Sequence, residues 1–125
     1  MAEPVVVLVG HCGFDAGSLE KAVRTAIPEA RIERADDAAA LQALEGDAHL
    51  LLINRVLERG FATSEGIDLI RALAANGPAA MLISNYADAQ QEAEQAGALP
   101  GFGKSDIQSE ETLDLLRRSM IERRH

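Results

Sequence analysis

The sequence predicts a three-layer α/β/α sandwich built on a five-stranded parallel sheet, and three observations lead there. Short apolar runs such as Val5-Val6-Val7-Leu8-Val9 lack polar alternation, which suits strands buried on both faces. Segments with apolar residues at helical spacing separate these runs, as the crossovers between parallel neighbours require. Such crossovers are right-handed in ~98% of cases, which places helices over both faces of the sheet.

The elements follow in order. The first strand is Val5 to Val9. Leu19, Ala22, Val23, Ala26 and Ile27 then fall on one helical face, and Pro28 ends that helix. Ala30 to Ala35 reads as a weak second strand, and Asp36 and Asp37 suit the positive N-terminal end of a helix through Leu41 and Leu44. His49 to Asn54 is the third strand. A helix around Ile67, Ile70 and Ala74 stops near Asn76-Gly77-Pro78. Ala79 to Ser84 is the fourth strand, and Asp88 to Gln95 a short Ala-rich helix closed by Gly97. Ala98 to Gly103 is a fifth strand weakened by two glycines and a proline. The last helix carries Leu113, Leu116 and Met120 on one side. Glu110 and Glu111 open it, and Arg117, Arg118, Arg123 and Arg124 lie toward its end, an order that complements the helix dipole.

Length and composition set the function classes. A chain of 125 residues with 47% apolar content forms a single domain, expected over residues 1–125. Its formal charge of -8, from 20 acids against 12 Lys and Arg, opposes direct nucleic-acid binding, which relies on basic residues at phosphates. The lone Cys12 excludes an internal disulfide, no apolar run approaches the ~20 residues of a membrane span, and no signal-peptide pattern opens the chain. The expected setting is a reducing cytoplasm, with protein or small-molecule partners.

In parallel α/β sheets the ligand crevice lies beyond the carboxyl ends of the strands. The residues to inspect are therefore Gly10 to Phe14, Asn54 to Glu58, Ser84 to Tyr86, and Lys104. The segment Leu82-Ile83-Ser84-Asn85-Tyr86-Ala87-Asp88, followed by Ala96-Gly97-Ala98, Phe102 and Lys104, resembles the receiver-domain family of two-component response regulators. Glu65-Gly66-Ile67-Asp68-Leu69-Ile70 likewise resembles the start of that family's third helix. The resemblance covers nearly the whole chain and implies a flavodoxin-like (βα)5 topology.

It also implies a degenerate phosphorylation site. In the family two acids after the first strand and an aspartate after the third hold magnesium, and that aspartate accepts a phosphoryl group. The acid pair aligns with Gly10 and His11 and the acceptor with Asn54, so all three acids are missing. Magnesium needs hard oxygen ligands and phosphoryl acceptance a nucleophilic carboxylate, neither of which an amide supplies. Ser84 and Lys104 keep the hydroxyl and ammonium positions. The aromatic that often precedes the lysine by three residues is Gly101 here, and Phe102, one position later, is expected to face the other way. Ser105 replaces the proline that commonly follows the lysine, and the loop between Asn54 and Gly66 is longer than usual.

The same residues carry simpler readings. Asn54 suits a structural amide tying two loops, Ser84 a cap on the strand-to-helix turn, Lys104 a solvated neighbour of Asp106, and Tyr86 a packing role. His11 and Cys12 are two adjacent groups, too few for a metal, and His49 is expected at the far end of its strand. No arginine follows Cys12 at phosphatase-loop spacing, where Ser18 stands, so a buried or half-buried neutral thiol is expected. Losing three acids while keeping Lys104 and adding Arg55 leaves a positive mouth, an anion-binding set of Arg55, Ser84 and Lys104 that Asp15 and Glu58 partly cancel.

The expected function is a phosphorylation-independent protein-interaction module of bacterial two-component signalling, with no catalytic residue, metal or cofactor. The resemblance places its partner surface on the fourth helix, fifth strand and fifth helix, with Gln90, Gln91, Glu94, Phe102, Arg117 and Arg118, and the same face would serve a homodimer. The alternatives are an anion- or small-ligand sensor using the strand-end crevice, and an enzyme using Cys12 or His11.

Overall fold

Val5–Val9 (β1) lies between two parallel neighbours, Arg31–Ala35 (β2) and Leu50–Asn54 (β3). Ala79–Ile83 (β4) pairs with β3, and Leu99–Phe102 (β5) forms the far edge, giving the order β2-β1-β3-β4-β5. The crossovers are Gly13–Ala26 (α1), Ala38–Glu45 (α2), Gly66–Leu73 (α3) and Ala87–Gln95 (α4), and Glu110–Glu122 (α5) follows a one-turn 3₁₀ helix at Lys104–Asp106. This computed structural model describes residues 3–57, 60–74 and 77–122. Glu58, Asn76, Arg123 and Arg124, which the sequence singles out, lie outside them.

Strand alternation sorts the core into two layers. Val6, Leu8, Leu50, Leu52, Met81 and Ile83 pack with Leu19, Val23, Leu113 and Leu116 of α1 and α5. Val5, Val7, Val9, Leu51, Ile53 and Leu82 pack on the opposite face with Leu41, Ile67, Ile70 and Ala93 of α2, α3 and α4. All five residues of β1 are buried, as an unbroken apolar run in an inner parallel strand should be. The helix starts follow local chemistry: Asp37 caps α2 by accepting the Ala40 N–H at 2.8 Å. Pro28 follows Ile27, the C-cap of α1.

The boundaries move by single residues. His49 precedes β3 rather than opening it, and its Nδ1 accepts the Val5 N–H at 2.9 Å, far from the crevice. Ser84 stands just past β4, and α4 begins at Ala87. Ala74 is the C-cap of α3 rather than part of it.

The β4–β5 edge is where the sequence was least informative. Met81 pairs with Leu99 and Ile83 with Phe102, so Pro100 and Gly101 together oppose Leu82 as a bulge. Phe102 is buried on the α1–α5 side, which removes it from the expected partner surface and confirms that it faces away from α4. A Cβ at Gly101 would collide with the Leu82 carbonyl and stand 2.8 Å from Gln90 Oε1. Gln90 itself turns inward. Its Nε2 reaches the carbonyl oxygens of Leu82 at 2.8 Å, Ser84 at 3.1 Å and Phe102 at 3.2 Å, tying α4 to both strands at the bulge. Gln91, Glu94, Arg117 and Arg118 remain exposed.

Gln90→Ala leaves those carbonyls short of a donor beneath α4. The expected cost is about 1–3 kcal/mol in urea unfolding, with faster hydrogen exchange at Ser84 N–H, whose acceptor is Phe102 O. Parent-like stability and exchange would show that the amide ties nothing.

Candidate functional site

Asn54 ends β3 with both amide hydrogens engaged. Its Nδ2 donates to Gly10 O at 3.1 Å and to Val56 O at 2.9 Å, linking the turn after β1 to the loop after β3. A carboxylate has no hydrogen to donate to either carbonyl. Gly66 must be glycine here, since a Cβ would collide with the Asn54 carbonyl oxygen.

The long loop after Asn54 folds back on itself. Val56 bridges Glu65 in antiparallel fashion, Leu57 N–H donates to Ser64 O at 2.9 Å, and Gly66 N–H to Arg55 O at 2.7 Å. Leu57 is thereby buried over Gly10, and Phe61 packs against the same core layer. Gly10 has a φ of +73°, and a Cβ there would stand 2.6 Å from Leu57 Cδ2. The first acid position is therefore closed by an apolar side chain from a loop that periodicity did not resolve.

His11, at the second acid position, is buried, and its Nε2 lies 2.8 Å from the Leu52 carbonyl. A carbonyl only accepts, so Nε2 carries the hydrogen. Nδ1 is buried with no partner among the described residues. Burial lowers the imidazole pKa from the ordinary value of 6.5; the Leu52 bond opposes this and the Lys104 charge adds to it. Burial thus favours the neutral ring.

Lys104 Nζ forms an ion pair with Asp15 Oδ2 at 3.0 Å. The ammonium holds the Asp15 carboxyl below its usual 3.8. Arg55 places its guanidinium 5.0 Å above the Tyr86 ring, a cation–π arrangement. Ser84 is buried, and its Oγ accepts the Tyr86 N–H at 3.1 Å, the turn-capping role. Lys104 lines the open crevice of about 680 Å³. Ser105 N–H donates to Asn85 Oδ1 at 3.0 Å, a bond a proline there could not make.

Cys12 is exposed rather than buried. It caps α1, with Sγ accepting the Asp15 N–H at 3.5 Å. Among the described residues no three His, Cys, Asp or Glu side chains are grouped to hold a metal. The crevice is poorly suited to a magnesium ion: of the two carboxylates lining it Asp15 is held by Lys104, and position 10 has no side chain. Among the described residues no helix is long and apolar enough to cross a membrane.

The fold is that of response-regulator receiver domains. The signal receiver domain of a DNA-binding response regulator from Colwellia psychrerythraea superimposes with a TM-score of 0.72 at 14% identity, over 96% of this chain and 99% of that one. The non-phosphorylated receiver domain of the stress response regulator RcsB from Escherichia coli gives 0.72 at 15% identity, over 94% and 95%. The beryllofluoride-activated NtrC4 receiver domain dimer gives 0.75 at 16% identity, over 95% and 98%. No family model matches the sequence, and no curated protein matches it.

The buried neutral His11 gives stability a defined pH dependence. Its folded pKa lies below the unfolded value, so the unfolded chain takes up the proton first as pH falls. Stability is expected to be complete above about 6.5, to decline as pH drops through that value, and to level off below the folded pKa. His11→Gln should flatten this decline in urea titrations between neutral pH and the carboxylate range. An unchanged slope would show that another group titrates.

Proposed function

We propose that this domain is a phosphorylation-independent protein-interaction module of two-component-type signalling, a receiver scaffold whose acceptor site has become structural. The observation that carries the reading is the Asn54 carboxamide, which donates to Gly10 O and Val56 O where an acceptor carboxylate would have to stand free. The Asp15–Lys104 pair supports it, because it engages the charge that a phosphoryl group would need.

The module binds rather than catalyses. Cys12 Sγ accepts a backbone N–H in its own helix cap, and the His11 ring is directed to Leu52 O, so neither is disposed toward the other as nucleophile and base. Gln90 further supports a fixed signalling face, since its amide joins α4 to β4 and β5 where a side chain at position 101 would intrude. The exposed residues of that face are Gln91, Glu94, Arg117 and Arg118. A homodimer through it is a further partner arrangement, and the beryllofluoride-activated NtrC4 receiver domain is itself a dimer.

Incubation with a small phosphodonor and magnesium, followed by intact mass and amide spectra, checks the reading. The expected result is an unmodified mass and an unchanged spectrum. Stoichiometric, acid-stable and base-labile phosphorylation would overturn it.

A further inference from the structure

His11 carries a polar atom that the fold leaves unused. The residue is 9% exposed, Nε2 donates to the Leu52 carbonyl at 2.8 Å, and Nδ1 is buried with no partner among the described residues. Nδ1 is therefore a bare acceptor, and the next proton that the ring takes up goes there. The imidazolium so formed is a buried cation whose new N–H has nothing to donate to. Such a charge is costly until a carboxylate reaches it.

The ring lines the crevice of about 680 Å³, and the ionisable groups around it are few. The first turn of α1 and its cap bring Asp15 and the Cys12 thiol, the loop after β2 brings Asp36, and the 3₁₀ turn after β5 brings Lys104. From β3 and the loop after it, the crevice receives only uncharged groups among the described residues, with Arg55 lying over the Tyr86 ring. Asp15 acts on the His11 ring more strongly than Asp36 does, and Asp15 is already held by Lys104 at 3.0 Å. His11 and Lys104 thus share one counter-ion.

Exposure decides which of the two keeps it once both are charged. The Lys104 side chain is 39% exposed, so water replaces its carboxylate at little cost, as ion pairs near the surface contribute little. A buried imidazolium has no such substitute. We propose that His11 and the Asp15–Lys104 pair form a proton-operated latch: a proton arriving at Nδ1 draws the Asp15 carboxylate from Lys104 to the ring, and the ammonium is released to solvent. The latch is closed while the ring is neutral. It opens only as pH falls below the ordinary imidazole value of 6.5, because burial opposes charging the ring. Lys104 then changes from a neutralised group to a free cation at the crevice.

The test follows the His11 ring, the Asp15 carboxyl carbon and the Lys104 side chain of the isotope-labelled full chain by NMR as pH is lowered from 7.5. The Asp15 and Lys104 signals are expected to move with the same midpoint as the His11 ring. His11→Gln keeps an amide donor for Leu52 O and takes up no proton, so it should abolish that step. Two variants at the partly exposed pair test the coupling in the other direction. Lys104→Met removes the competing cation and should raise the His11 midpoint, whereas Asp15→Asn removes the shared carboxylate and should lower it. Asp15 and Lys104 signals that stay flat through the His11 step, or that still move in the glutamine variant, would overturn the latch, as would a His11 midpoint unmoved by either substitution.

Discussion

Two hydrogen bonds from one carboxamide hold the carboxyl-end edge of this sheet together. Asn54 Nδ2 ties Gly10 O to Val56 O, and everything around it is arranged accordingly. Gly66 leaves room for the Asn54 backbone, the folded-back loop carries Leu57 onto Gly10, and the left-handed Gly10 turn points His11 toward Leu52. Bonds of this kind contribute about 1 kcal/mol each when made. Asn54 thus acts as a joint between two loops.

The two cations at the edge have partners within the chain: Asp15 pairs with Lys104, and the Tyr86 ring receives Arg55. On the other side of β5, Gln90 fills the space beside Gly101 and bonds across the bulge. These bonds join the helix, the bulge and the turn.

Much of the fold was legible because burial leaves a plain mark on the chain. β1 and β3 sit inside a parallel sheet and must be apolar on both faces, and α1 must repeat its apolar residues at helical spacing; both patterns are in the sequence. The β5 edge was not, because its order depends on a bulge and on the inward amide of a glutamine that periodicity reads as surface. At the site, the amide of Asn54 was legible as a tie between two loops from its chemistry. The closing of Gly10 by Leu57 was not, since it follows from a loop folding back. The stacking of Arg55 over Tyr86, the N-cap of α4, has no mark in the sequence, since it joins loops from two different strands.

The account stands on Asn54 being a donor rather than a vacant acceptor. The stability of Asn54→Asp in urea at neutral pH tests this most directly, because the change is nearly isosteric and replaces the donating amide by a carboxylate facing two carbonyl oxygens. A loss of about 1–3 kcal/mol is predicted. A variant as stable as the parent would contradict the claim that the site's amide holds the edge together.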